Sequence, residues 1–513
     1  MASAPLTGAE YLESLRDGRR VFVYGELVPD VTSHPAFRNM ARTIARMYDA
    51  LHDPGRRDVL TRPTDTGSGG RTHKFFVPGR SAADLLEARD AIAAWARIGY
   101  GFVSRSPDYK ASFVAALGAN PEFFAPYEDN ALRLYREIQE RVWFLNHALG
   151  NPPVDRDLPV EQVADVFVKV TRETDAGIVV TGAKTVATGS ALTHFNLIAP
   201  FASIPIEKEE FAVAFIAPVD SPGLRLVCRP SYEMTAAVMG SPFDYPLSSR
   251  LDENDALLVF EDVLVPWENV LIYRDVKRAR MVLPMSGFLH RLALHGCTRF
   301  AVKLDFVAGL LLQAVEATGV ERFRGVQVSL GEVMAWRNLF WGLSTAMAAA
   351  PVRGPHETVL PNLEYGAAYR ALAPNVWTLV RQAVQDLVAS GLIVLPSSAR
   401  DWASAELRPL LERYYRGSNG YDAERKVKLM KLLWEAVGTE FAGRQELYER
   451  NYAGNHESIR LEVLTRAQAE GRTDDLKRFA QRCLDEYDLD GWRDGDYVPQ
   501  DDVAHFAGPH PLT

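Results

Sequence analysis

Local texture changes twice along the 513 residues, and the order of those changes constrains the fold more than any single motif. The first stretch reads mainly as helix. Residues 82–98 (AADLLEARDAIAAWARI) place Leu85, Leu86, Ala93 and Trp95 near helical spacing. Residues 128–149 (EDNALRLYREIQERVWFLNHAL) continue the pattern, and Gly150, Asn151, Pro152 and Pro153 stop it. Short β-rich runs follow: VADVFVKVTRE, GIVVTGAKTVAT, FNLIAPFASI, FAVAFIAPV, LRLVCRPS and ALLVFEDVLVP. Turn residues at Asp175–Gly177 and Asp220–Gly223 separate them, as in a sheet sandwich or barrel. From about residue 276 long helical segments return, apolar on more than one face. TRFAVKLDFVAGLLLQAVEAT and ERKVKLMKLLWEAVGTEFAGRQELYERNY are examples. Such helices are usually buried in a bundle or a subunit interface.

The expectation is therefore an α+β multidomain chain. Residues 1–153 form an N-terminal helical domain and 154–275 a central β-barrel or sandwich domain. Residues 276–513 form a C-terminal helical bundle, with an extended tail from about Asp488. A chain of this length is too long for one core.

Composition removes several functions. The net charge is −9, without the basic balance that nucleic acid demands. No run of 18 apolar residues suggests a membrane span, and MASAPLTGAEYLESLRDGRR lacks the plan of a secretory signal. Three distant cysteines, Cys228, Cys297 and Cys483, argue against a disulfide framework and for a reducing cytoplasm. There is no strand–GxGxxG–helix fingerprint and no Walker-type loop; GSGG at 67–70 follows no strand. A redox enzyme built on this chain has no evident NADH site of its own.

Candidate chemistry begins at RSPDY (105–109). Ser106 is a good N-cap, Pro107 a good first helical residue and Asp108 a first-turn acid. Read plainly, this is a helix start with an exposed Arg105. Read functionally, a guanidinium and a helix N-terminus together stabilise developing negative charge. His147 falls in the last turn of its expected helix, where the dipole favours a histidine; a side chain titrating near neutrality also suits partial withdrawal of a proton. The hydroxyl-dense TVATGSALT (185–193) is a weak signal by itself. His290 and Cys297 resemble part of the three-cysteine, one-histidine cluster set of the 4-hydroxybutyryl-CoA dehydratases, a resemblance that puts the other two ligands just before RSPDY, where WARIGYGFVS supplies no cysteine. Two protein ligands do not hold a cluster, so no metal is expected.

VFEDVLVPWENVL (259–271), with Val265, Pro266 and Asn269, and GAKTVATGSALTHFNLI (182–198) resemble segments of the acyl-CoA dehydrogenase fold, whose plan is the same α–β–α order. RTHKFFVP (71–78), RSPDY, LNHALGNPP (145–153), TGAKTVATGSALTH (181–194), HGCTRFAVKLDFVAGLL (295–311) and GTEFAGRQELYERNYAGN (438–455) are more specific. They resemble, in order and over nearly the whole chain, the oxygenase component of 4-hydroxyphenylacetate 3-monooxygenase.

That resemblance implies a two-component flavin monooxygenase. A separate NAD(P)H–flavin reductase supplies reduced FAD, O2 is the co-substrate, and a 4-substituted phenol is hydroxylated beside its hydroxyl to a catechol. It assigns Arg105, Tyr109 and His147 to the reacting centre. It places Thr188, Ser190, Gln327, Asn451 and Gly454 around FAD, with Gln327 holding the dinucleotide tail bound by a neighbouring subunit. It puts Ser203 at the substrate's tail and implies a homotetramer. The substrate is 4-hydroxyphenylacetate-like or a tyrosine or β-tyrosine derivative, free or tethered to a peptidyl carrier protein as in antibiotic biosynthesis. Two alternatives stand beside it. An acyl-CoA dehydrogenase or dehydratase of the same fold is the first; the dehydrogenase segment similar to NYAGN often carries a glutamate base where Ala453 stands here, and the dehydratase's cysteines are missing. A non-catalytic flavin-binding protein has no need of Arg105, Tyr109 and His147.

Overall fold

The computed structural model describes residues 3–155, 157–158, 162–200, 207–451 and 454–498. The chain forms two compact units, Met1–Tyr452 and Ala453–Thr513. In the first, two sheets carry the β region. A six-stranded sheet runs Glu26–Leu27, Val21–Val23, Leu224–Cys228, Ala256–Pro266, Gly177–Lys184, Lys169–Thr174. A four-stranded sheet runs Val270–Tyr273, Val213–Pro218, Phe195–Ile198, Leu145–Ala148. Phe215 and Phe260 meet edge to face between them, ring centroids 5.9 Å apart. Strands from the N-terminal stretch thus complete both sheets.

The helix expected over 82–98 is present as Ala82–Ile98, with the Ser81 hydroxyl accepting from the Asp84 N–H as its N-cap. The helix expected over 128–149 is not. It ends at Arg141, because Val142 turns left-handed (φ 54°) and its N–H caps the last turn. Leu145–Ala148 then pairs in parallel with Phe195–Ile198, His147 opposite Leu197. All four of its residues are buried. A short, fully buried apolar run cannot be told from the end of a buried helix by periodicity. His147 therefore stands on a strand, and no helix dipole acts on it.

The long helices pack on one another. Phe288–Thr318 is the central one, and Arg324–Ala349, Leu363–Val388, Ala82–Ile98 and Ala423–Val437 pack against it. The segment ERKVKLMKLLWEAVGTEFAGRQELYERNY breaks at Gly438 into Ala423–Val437 and Glu440–Asn451. One close approach matters for the site. At Gly101 (φ +77°) an added Cβ would lie 2.5 Å from the backbone nitrogen of Lys303, so only glycine lets the loop before RSPDY press against the central helix. The second unit contains the helices His456–Ala469 and Arg472–Leu484 and a two-residue ribbon pairing Tyr487–Asp488 with Gly491–Trp492.

Candidate active site

RSPDY folds as a short 3-10 turn, Pro107–Lys110, leading into the helix Ala111–Ala119. Ser106 occupies the N-cap, but its hydroxyl donates to the Asp108 carboxylate at 2.5 Å instead of capping the backbone. Arg105 is not the exposed residue of the plain reading; it is 8% exposed. Its backbone N–H donates to Glu253 Oε1 at 2.5 Å, and the neighbouring Ser104 hydroxyl donates to the other oxygen of the same carboxylate.

Three expected residues converge. Arg105 Nη1 lies 2.6 Å from His147 Nε2. The Arg105 guanidinium stacks over the Tyr109 ring, 4.4 Å from its centroid, and over Tyr448 at 5.7 Å. Tyr109 and His147 meet edge to face at 5.6 Å. Phe288 of the central helix closes the far side of His147 at 6.3 Å. Behind Tyr109, His295 Nε2 lies 3.2 Å from Asp108 Oδ1, and both side chains are 1% exposed.

The hydrogen bond fixes the state of His147. A guanidinium only donates, so Nε2 accepts and the ring's own proton sits on Nδ1. Nδ1 is buried, with no partner among the described residues. Burial holds the imidazole well below its usual range, and the Arg105 guanidinium acts in the same direction, so it stays neutral. In this arrangement His147 presents a hydrogen-bond donor to whatever occupies the pocket.

Sequence reading missed the loop that ties the site together. Asp252–Asp255 (DEND) joins the helix Ser248–Leu251 to the strand Ala256–Pro266. Glu253 holds the Arg105 segment, as above. Asp255 accepts from the Thr188 hydroxyl (2.6 Å), from Arg229 Nε (2.9 Å) and from Arg444 Nη2 (2.7 Å). The Asn254 carbonyl accepts from the Gly189 N–H at 2.7 Å. Burial works to raise the Asp255 carboxyl, but Arg444 and Arg229 overcome it and hold it far below the usual range. The signal was in the sequence: four consecutive polar residues directly before an apolar strand leave their side chains free to brace neighbouring segments.

The expected cofactor residues are dispersed. Thr188 and Ser190 are fully buried, and the Ser190 hydroxyl donates to the Ala187 carbonyl at 2.8 Å. Between them Gly189 (φ +73°) has nothing within 4 Å of an added Cβ, and Val186 is 62% exposed. This turn therefore offers a partly apolar surface with open space at Gly189, braced through Asp255. Gln327 is exposed on the first turn of Arg324–Ala349. Asn451 is exposed at the end of its helix, its amide donating to the Leu447 carbonyl. Gly454 has φ +106°. Ser203 and Ala453 lie outside the described residues. His290 Nδ1 lies 2.9 Å from the Pro361 carbonyl oxygen, and the Cys297 thiol donates to the Phe340 carbonyl. No group of three metal-ligating side chains gathers among the described residues.

The chain shares its fold with an archaeal 4-hydroxybutyryl-CoA dehydratase, at a TM-score of 0.82 and 18% identity, and gathers a buried arginine, tyrosine and histidine within it. Residues 7–272 match the 4-hydroxyphenylacetate 3-hydroxylase N-terminal family and residues 279–481 its C-terminal family, and the chain belongs to that family. It is 57% identical to the oxygenase component of a 4-nitrophenol 2-monooxygenase of Rhodococcus sp, over 98% of this chain and 96% of the relative. It is 56% identical to a Streptomyces globisporus monooxygenase, over 95% of this chain and 92% of the relative; that enzyme is named for a (3S)-3-amino-3-(3-chloro-4-hydroxyphenyl)propanoyl group on a peptidyl-carrier protein. The crystal structure of a 4-hydroxyphenylacetate 3-monooxygenase oxygenase component, complexed with FAD and 4-hydroxyphenylacetate, superposes with a TM-score of 0.87. Identity there is 32%, covering 94% of this chain and 99% of that one.

Proposed function

We propose that this protein is the oxygenase component of a two-component flavin monooxygenase, hydroxylating a 4-substituted phenol at the carbon beside its hydroxyl. The observation that carries the reading is the buried contact of Arg105 with both His147 and Tyr109. The cofactor implied by the family is FAD, reduced by a separate reductase, which when bound would furnish, with O2, the oxygen atom for the ring.

The chain's own residues do the rest. Arg105 is a permanent positive charge in a dry pocket, where it stabilises negative charge far more than it would in water. The His147 Nδ1–H donates to the phenol oxygen and favours its phenolate form, which enriches electron density at the ortho carbon. The Tyr109 ring forms a wall under the Arg105 guanidinium and orients the substrate ring. Burial on all sides keeps water from the reacting oxygen. Thr188, Ser190, Asn451 and Gly454 are assigned to FAD in this reading, Gln327 to the dinucleotide tail held by a neighbouring copy, and Ser203 to the substrate's tail. The three parts 1–153, 154–275 and 276–513 act as helical cover, flavin-supporting β domain and assembly domain.

The substrate class is a phenol with a para substituent, free or carrier-tethered. The high identity to both the nitrophenol and the carrier-dependent enzyme supports testing the two together. Homotetramer assembly accords with the exposed Phe323 and Val328 at the start of Arg324–Ala349. A cytoplasmic location accords with three unpaired cysteines, and no described helix is long and apolar enough to cross a membrane. The test is turnover with reduced FAD and O2 on 4-nitrophenol, 4-hydroxyphenylacetate and carrier-bound tyrosine. A catechol from at least one supports the reading; flavin oxidation without product from all three refutes it.

A further inference from the structure

Lys110 ends the RSPDYK turn, and nothing above uses it. It is fully buried, and its ammonium nitrogen has no hydrogen-bond partner among the described residues. Instead it lies 3.7 Å from the centroid of Tyr109 and 4.6 Å from that of Phe288, the two rings that flank His147. Ring faces compensate a buried cation only in part, so an unpaired ammonium here is costly. The described groups around it offer no counter-charge. Arg105, on its own segment, repels it; His147, from the strand Leu145–Ala148, is neutral and holds its own proton. Asp108 is engaged by Ser106 and His295 behind Tyr109. The helix Ala111–Ala119 contributes no titratable side chain. Burial, then Arg105, push the lysine well below its ordinary range, toward the free amine while the pocket is empty.

Among the described residues that touch both Tyr109 and Phe288, Lys110 is the side chain left able to accept a proton from a phenol. Arg105 never gives its proton up, and His147 has Nε2 occupied and Nδ1 protonated. We propose that Lys110 takes the phenol proton: the substrate O–H bond breaks, an Nζ–H bond forms, and the ammonium remains as counter-ion of the phenolate. Arg105 and the His147 Nδ1–H hold the phenolate oxygen from the other side. No electrons change hands and no further reactant is needed. A proton shared within the pocket lets the enzyme bind neutral phenol and present phenolate. The inference rests on the phenol-site reading above.

The probe is 4-nitrophenol, whose phenolate is yellow and whose phenol is colourless. The full-length protein is loaded with reduced FAD without oxygen, so that the flavin leaves the visible band clear. Spectra and proton release to a weakly buffered solution are recorded across pH. The wild type should bind the probe as phenolate where the free probe is colourless. The apparent pKa should fall by about one unit or more, a tenfold gain in phenolate, with no proton released. Lys110→Met should lose the shift while still binding the probe. Lys110→Arg should keep the yellow form but release one proton per probe bound, because arginine supplies charge without accepting a proton. A colourless bound probe in the wild type, proton release by the wild type, or a Lys110→Met spectrum equal to wild type would each overturn the proposal. Admitting oxygen separates the two readings. Hydroxylation with an unshifted spectrum removes only the role of Lys110; absence of hydroxylation with every phenol tried removes the site reading and this proposal together.

Discussion

At the scale of single residues, the site is a balance of charge against burial. Arg105, Lys110 and His147 bring basic groups into a pocket that burial would otherwise keep neutral, and His147 meets this by staying unprotonated. Its depressed pKa means that it charges only well below its usual range. The hydroxylation rate should accordingly show no step from His147 between about pH 6 and 8; a step in that window that disappears in His147→Gln would contradict the assignment. His147→Phe removes the donor and should slow hydroxylation by about 100- to 1,000-fold, while flavin oxidation continues; product and flavin followed in one stopped-flow record show both. Residue identity was partly legible from the sequence. RSPDY and LNHAL pointed at Arg105, Tyr109 and His147 through a resemblance. The plain physical reading of the same residues left Arg105 exposed and His147 on a helix. Lys110 escaped because a lysine beside a tyrosine reads as an ordinary solvated charge; only its burial makes it unusual.

Among the elements, two connections decide whether the site exists. One is the left-handed Val142, which ends a helix early and frees Leu145–Ala148 to join a sheet. Apolar spacing carried no trace of that event, because a β-branched residue at positive φ is disfavoured and tertiary packing imposed it. The helix Ala82–Ile98, by contrast, was legible to the residue. It has a serine cap, a first-turn acid and a periodic apolar face, and no competing partner for its backbone. The other connection is the DEND loop. Glu253 accepts the Arg105 N–H, and Glu253→Gln replaces one acceptor oxygen with a donor, leaving a buried group unsatisfied. The expected cost is about 1–3 kcal/mol in stability, with Arg105 displaced. Denaturant unfolding should read the first, and a fall in catechol formed per flavin oxidised the second. Unchanged coupling in a destabilised variant would make Glu253 a structural brace only.

For the whole molecule, buried ion pairs set the response to acid. Glu449 on the helix Glu440–Asn451 accepts from Nη1 and Nη2 of Arg299, each at 2.7 Å, and from Lys303 at 2.9 Å, all three side chains at most 2% exposed. Burial would raise its pKa, yet the two cations bring it down to about 2 from 4.5. A carboxylate depressed in the folded state contributes stability above its unfolded pKa and loses it as pH falls through the folded one. The melting temperature should therefore hold from neutrality to about pH 4.5 and fall steadily toward pH 2, with Asp255 adding to the same limb. Glu449→Gln strands two buried cations and should cost about 3–5 kcal/mol at neutral pH, with a shallower acid limb; calorimetry across pH measures both. The three-layer texture of the chain was legible because helix and strand periods differ so strongly over long stretches. The N-terminal and Leu145–Ala148 strands that complete the sheets were not, being too short to show a period.

The measurement that bears most directly on the central claim is a single turnover of Arg105→Ala beside the wild type. Protein carrying reduced FAD and a phenol that the wild type hydroxylates is mixed with oxygenated buffer, and catechol formed is divided by flavin oxidised. If the buried Arg105–His147–Tyr109 cluster is the hydroxylation site, the wild type yields close to one catechol per flavin. The variant, which binds FAD and folds, then yields a small fraction of that and diverts the oxygen to hydrogen peroxide. An equal yield from both proteins would mean that oxygen reaches the ring somewhere else.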